Sequence, residues 1–291
     1  MLVSCLGDVM LDVLVNVPHG LVHDDDTPAS ITVGGGGQAA NVAAWVSALG
    51  GRARLYGPRA DTAVGRLVGE TLADTGIEVY GPLTRRPGVV MSLVTPGLRS
   101  LASDPGSTDW LAQVSAGPWV EGADWLFISG YALLRSDHPE RIIALAEAAR
   151  AESTRVAVDL SSASMITEYG AARFRSLWEL LRPSVIFANH REWKAANSGR
   201  SGSASSSFGS GGTSVLALKH GADGTTFVID GIGDHRPVLA GAVRDVTGAG
   251  DALSAGYLVG GADLAMRTAA RCVAQVGAQP ESAARGGEGK P

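Results

Sequence analysis

The chain has 291 residues, 45% hydrophobic and 18% charged, with 24 Lys and Arg against 29 Asp and Glu. That length suits one large α/β domain, and the acidic balance without any run of Lys or Arg excludes a nucleic-acid footprint. Cys5 and Cys272 stand in apolar contexts at opposite ends of the chain, which excludes a disulfide framework and reads as two buried thiols in a reducing compartment. The six His form no HxH or HExxH pattern, so a His-built metal site is excluded too.

The first segments, "LVSCLGD" and "DVLVNV", read as strands, and "ASITV" as a third before the glycines at 34–37. No basic lead precedes the apolar N-terminus, Asp8 and Asp12 interrupt it, and no apolar stretch approaches the ~20 residues that span a bilayer. A cytoplasmic protein is expected. "QAANVAAWVSALG" has apolar residues at helical spacing and a closing Gly, which predicts a helix over 38–49.

From there strands and helices alternate. "ARLYG" precedes a helix at 62–74, "ADWLFISG" one at 137–151, "TRVAVDL" one at 168–181 and "SVIFAN" a short one at 190–197. "GADGTTFVIDGIGDHRPVLA" predicts a hairpin around Gly231–Asp234, and helices follow at 248–260 and 262–278. This is the rhythm of an α/β fold with a mainly parallel central sheet flanked by helices. Residues 12–33 and 88–103 break it as short strands with no helix between them. They fit a small β-sheet lid on the main domain or, equally on pattern, a pair of surface hairpins.

Residues 198–213 are nearly all Ser and Gly. They read as a mobile surface loop inside a single domain spanning 1–291, because the ~80 residues beyond are few for a second domain of this kind. The tail after residue 283 reads as frayed.

In an open parallel sheet, ligands collect where strands end and helices begin. Four features fall there. Gly34–Gly37 lets the backbone approach a small polar molecule, and Asn41 offers a donor and an acceptor one turn later. Asp159 closes an apolar strand. Asn189 closes another, three residues before Glu192, a spacing that fits either a helix cap or an acid that holds water around Mg²⁺. In "DVTGAGDALSAGY" (245–257), Asp251 follows Gly248-Ala249-Gly250 at a helix start. Alone it reads as a cap. Beside a cradle of N–H groups, however, a carboxylate can take a proton from a hydroxyl while the cradle holds a phosphoryl group. No Gly-Lys-Ser/Thr follows, which excludes a Walker A loop, and neither glycine cluster gives GxGxxG after the first strand.

With "GGQAANVA" (36–43), "NHRE" (189–192) and "KHGADG" (219–224) in order before "DVTGAGDALSAGY", the chain resembles the ribokinase-like (PfkB) carbohydrate kinases over nearly its whole length. The resemblance implies a β-lid over the α/β domain and an ATP-dependent kinase acting on a small sugar. It implies Asp251 as catalytic base, with Gly248, Ala249 and Gly250 as its anion hole. Asp12, Gly36, Gly37 and Asn41 would hold sugar hydroxyls, with Tyr131 of "SGY" (129–131) and Arg99 as further acceptor candidates. Asn189, Lys219, Gly221, Gly224 and Gly250 would serve ATP, Glu192 would serve Mg²⁺ through water, and Asp245 falls where relatives place a monovalent cation such as K⁺. The Ser/Gly stretch replaces a region that carries helix in relatives, and "DLSS" after Asp159 lacks their usual Asn and Arg. A nucleoside kinase and a non-catalytic sugar or nucleotide sensor are the alternative functions. A homodimer formed through the lid is expected, because a lone small sheet exposes an apolar face.

Overall fold

A computed structural model describes residues 1–96, 98–199 and 214–281. The chain enters in β1 (Leu2–Leu6), whose five residues are all buried. It leaves the main sheet in β2 (Met10–Asn16) and β3 (Ser30–Gly36), then returns through α1 (Gln38–Ala48) and β4 (Arg52–Tyr56). Short β5 (Arg59–Ala60), α2 (Ala63–Ala73), β6 (Glu78–Tyr80) and β7 (Leu83–Thr84) precede a second excursion, β8 (Gly88–Thr95) and β9 (Leu98–Asp104). Strand–helix units follow. β10 (Trp125–Ser129) leads to α3 (Gly130–Arg135) and α4 (Pro139–Ala151), and β11 (Arg155–Asp159) leads to α5 (Ala163–Tyr169) and α6 (Ala171–Leu181). β12 (Val185–Asn189) leads to α7 (His190–Ala196), before β13 (Val215–Lys219), β14 (Thr225–Ile229), β15 (Ile232–Arg236) and α8 (Ala249–Val273).

The main sheet runs β15-β14-β13-β12-β11-β10-β1-β4-β6. Its pairs from β13 to β6 are parallel, and the β13-β14-β15 edge is antiparallel. Helices cover both faces, so successive residues of one strand enter different cores. Val3 and Cys5 of β1, with Phe127, Phe187 and Phe227, pack under α1 and α8. Leu6, Leu126, Ile128 and Val158 pack against α4, α5 and α6 on the opposite face. Burial on both sides is why these strands read as continuous apolar runs. Cys5 and Cys272 are free and buried. Among the described residues no helix is long and apolar enough to cross a membrane.

The two excursions form one four-stranded sheet, β3-β2-β8-β9, and not two separate hairpins. β2 pairs antiparallel with β3 but parallel with β8, so segments about 80 residues apart join side by side. Their register places Val13, Val15, Ile31, Val33, Met91 and Leu93 on one face, and Asp12, Leu14, Thr32 and Ser92 on the other.

Several boundaries differ from the sequence reading. The helix expected over 168–181 is two helices that meet at Gly170, and α3 is an additional helix of six residues. The last helices are separated by non-helical backbone at Gly260 and Gly261, as the pattern predicted, but the second stops at Val273 and not at 278. The reason is a turn in which the Gly277 N–H donates back to Asp245 Oδ2 at 2.9 Å. The hairpin turns at Asp230–Gly231, where both residues have positive φ, slightly ahead of the predicted position. The Ser/Gly stretch lies outside the described residues from 200 to 213, as does the tail from 282.

The two segments of α8 fold closely on each other. A Cβ at Gly256 would lie 2.7 Å from the Ala265 Cα and 2.7 Å from the Leu264 carbonyl oxygen. Gly256→Ala should therefore lower stability by about 1–3 kcal/mol, the usual cost of overpacking, measured by denaturant unfolding.

Candidate active site

The C-terminal ends of β1, β10, β11, β12 and β13 bring together helix starts from distant parts of the chain. Gly37 caps α1 with φ 102°, and a Cβ there would lie 2.4 Å from the Asp8 carbonyl oxygen, so only glycine fits. One turn later Asn41 is 7% exposed. Its Nδ2 donates to Asp251 Oδ2 at 2.9 Å, across 210 residues of sequence. Its Oδ1 is buried and, among the described residues, has no protein partner.

Asp251 sits in the first turn of α8, whose cap, Gly248, has φ 75°. A Cβ on Gly248 would lie 2.6 Å from the Ala278 Cα, so the loop is braced from behind. Ala249 N–H turns onto the Val246 carbonyl at 3.3 Å. Gly250 and Asp251 follow in the first turn of α8, at the positive end of its dipole. Asp245 accepts from Thr247 N at 2.9 Å and from Thr247 Oγ1 at 2.6 Å, and from Gly277 on its other oxygen. It thereby staples the strand of loop before Gly248 to the turn after α8. A cation at Asp245 would share the carboxylate with these donors.

On the other side of Gly250 lies Lys219. Its Nζ donates to Asp159 Oδ2 at 2.7 Å and is 3.2 Å from where a Gly250 Cβ would stand. Burial pulls the Lys219 ammonium down, but the charges of Asp159 and Glu192 outweigh it and hold the group above its usual range. Burial and then Asp159 push the Glu192 carboxyl up, against the pull of Lys219.

Asn189 and Glu192 form a reciprocal cap. Glu192 accepts from Asn189 N at 2.8 Å and from Asn189 Nδ2 at 2.6 Å, while Asn189 Oδ1 accepts from Glu192 N at 2.9 Å. The local capping reading is thus present in the geometry, with a buried carboxylate left at the cleft. Among the described residues no cluster of three or more His, Cys, Asp or Glu is placed to hold a metal directly. One such carboxylate fits Mg²⁺ held through water and substrate phosphates.

Tyr131 belongs to the same cleft. Burial pushes its phenol up to about 12, and the charges of Asp159, Asp251 and Glu192 add to this while Arg135 opposes it. Asp12 comes from β2 beside the glycine loop that leads into α1, its Oδ2 3.3 Å from where a Gly36 Cβ would lie. It borders a cavity of about 200 Å³ lined also by Thr32, Thr71, Asp74 and Gln279. Gly221 and Gly224 lie in the turn after β13, which closes with His220 N–H on the Gly224 carbonyl at 2.8 Å. The side chain of Arg99 lies outside the described residues.

Sequence reasoning passed over several neighbours. Gln38 Oε1 accepts from Ser129 Oγ at 2.5 Å and Ser161 Oγ at 2.7 Å, tying the start of α1 to the ends of β10 and β11. Arg135 pairs with Asp8 and lies 4.7 Å over the Tyr131 ring. At the outer edge His190, His220, Thr226 and His235 form a hydrogen-bonded chain. The partners of Gln38 and the Arg135–Asp8 pair are remote in sequence, so strand-end position was their one local signal. Arg135, by contrast, lies one helical turn from Tyr131, and the β14–β15 hairpin brings Thr226 to His235.

The model of the pfkB family of carbohydrate kinases matches residues 1–281. The ATP-dependent ribose-1-phosphate kinase of Halopiger xanaduensis is 28% identical over 259 residues, 87% of this chain and 82% of that protein. Among solved structures, adenosine kinase from Sinorhizobium meliloti superposes with a TM-score of 0.83 at 22% identity, over 96% of each chain. Ribokinase from Thermotoga maritima gives 0.73 at 19% identity, over 97% of each. Fold and family together define an ATP-dependent kinase. The chain belongs to the pfkB family of carbohydrate kinases.

Proposed function

We propose that the protein transfers the γ-phosphate of ATP to a hydroxymethyl group of a small sugar, with Asp251 as the base. The observation that carries this is the Asn41–Asp251 hydrogen bond, which fixes a carboxylate in the first turn of α8, while Asn41 Oδ1 is buried and, among the described residues, without a protein partner. An acceptor hydroxyl donating to that oxygen removes the cost of leaving it buried and unpaired. Asp251 then takes the proton from the reacting hydroxyl, and Asn41 Nδ2 holds the carboxylate in place. In the loop Gly248–Gly250 the Ala249 N–H is turned onto Val246, and the Gly250 amide in the first turn of α8 faces the phosphoryl group. Asp12, Gly36, Gly37 and Tyr131 complete the acceptor side, under a lid built from segments 12–33 and 88–103 of a single domain.

Asn189, Lys219, Gly221 and Gly224 serve the nucleotide. Glu192 would hold Mg²⁺ through water, and the ion would supply positive charge to the phosphates. A monovalent cation such as K⁺ at Asp245 would stiffen the loop before the anion hole. Tyr131 carries the Arg135 guanidinium over its ring, which takes a face that a nucleobase would stack on and favours a sugar over a nucleoside. ATP consumption across free pentoses, hexoses, ribose-1-phosphate and nucleosides tests the assignment directly. On the best acceptor, Asp251→Asn should fold normally and lose roughly 10²–10⁴-fold in turnover, the range for removing a general base. Near-wild-type turnover would contradict the role of Asp251.

The outer face of the lid supports a homodimer. It carries Val13, Val15 and Leu93 together with Ile31, Val33 and Met91, which are 62%, 48% and 39% exposed. A second lid covering this face would remove a contiguous apolar patch from water. Light scattering at micromolar protein should give twice the chain mass, and Val33→Glu with Met91→Glu should give the monomer. A wild-type monomer would contradict the dimer.

A further inference from the structure

The cleft gathers carboxylates: Asp159 accepts from Lys219, Asp251 from Asn41 and Glu192 from Asn189, and Asp8 follows two residues after β1. A transferring phosphoryl group adds negative charge to that set. A cation must stand close to it, and Arg135 is already paired with Asp8. Lys219 is placed differently. β12 and β13 pair Asn189 with Lys219, so the strand register sets the lysine beside the nucleotide-side cap. Its ammonium then reaches past Asp159 to the space that Gly250 leaves by lacking a side chain. The carboxylates of Asp159, Glu192 and Asp251 all favour its charged form. The bond to Asp159 uses one of three ammonium donors.

A purely structural ion pair would need Lys219 beside Asp159, but it would not need the ammonium against the anion-hole loop. We infer that Lys219 contacts the phosphoryl group in transit and neutralises its charge, with Asp159 as the positioning residue that aims the ammonium. The inference rests on the kinase reading above. In the step, the acceptor oxygen forms a bond to the γ-phosphorus as the bond to the β–γ bridging oxygen breaks. ADP leaves with that electron pair, and the hydroxyl proton passes to Asp251. Lys219 exchanges no proton in this scheme and acts through charge and a hydrogen bond alone.

The test is steady-state kinetics of wild type, Lys219→Met, Lys219→Ala and Asp159→Asn on one acceptor, with each substrate varied and folding checked by thermal denaturation. Lys219→Met should lower kcat by about 10²–10³-fold, the range for removing one preorganised donor, while the acceptor KM stays within about twofold. Added methylammonium should restore part of the kcat of Lys219→Ala, which a merely structural lysine would not allow. Asp159→Asn should lower kcat at least about tenfold through a misplaced ammonium. A folded Lys219→Met with kcat within about threefold of wild type, or a loss confined to the KM for ATP, would overturn the inference. If the Lys219 variants fail to fold, an unchanged kcat in Asp159→Asn overturns it instead. A wild type without turnover on any acceptor overturns the kinase reading and this inference together, whereas an active wild type beside an undiminished variant removes Lys219 alone.

Discussion

The hydrogen bond between Asn41 and Asp251 spans 210 residues of sequence and joins the start of the first helix to the start of the last. A bond to a charged, partly buried group contributes about 1.5–3 kcal/mol, and only when both ends are held in place beforehand. The surrounding structure supplies that placement. Trp45, one turn beyond Asn41, donates from Nε1 to the Ala278 carbonyl at 2.8 Å. Ala278 backs Gly248, and the neighbouring Gly277 donates to Asp245. Thus the turn after α8 braces both partners at once.

The same brace explains why the glycines stand where they do. Gly37 and Gly248 cap the two helices with positive φ at points where any side chain would strike backbone. Gly250 is different, since what fills its side-chain space is the tip of Lys219. Charge follows the geometry. Lys219 is a half-buried cation beside Asp159, near Glu192, and Arg135 answers Asp8 at the acceptor end. Buried carboxylates without these partners would favour protonation, and a base must stay ionised to accept a proton.

Much of this was legible in the sequence because the chemistry is concentrated at short, local motifs. The glycine-to-helix junctions at 36–41 and 248–251 can be read from spacing alone, and so can the Asn189–Glu192 cap. The parallel sheet was legible from its apolar strands, because each is buried on both faces. What escaped depends on pairing between distant segments. The one lid sheet was among the readings of segments 12–33 and 88–103, but its parallel pairing of β2 with β8 has no local signature. The contacts of Gln38 with Ser129 and Ser161 span 91 and 123 residues, and that of Arg135 with Asp8 spans 127. The break at Gly170 was hidden because apolar residues keep helical spacing across it.

A double-mutant cycle on Asn41 and Asp251 tests the central claim most directly, with kcat/KM measured for Asn41→Ala, Asp251→Asn and the double variant on one acceptor. If Asn41 orients the base, the double variant should be little worse than Asp251→Asn alone. The two losses would then be non-additive by at least about 1 kcal/mol, as for groups in direct contact. Losses that add within about 0.5 kcal/mol would show that the two residues act independently and would contradict the account.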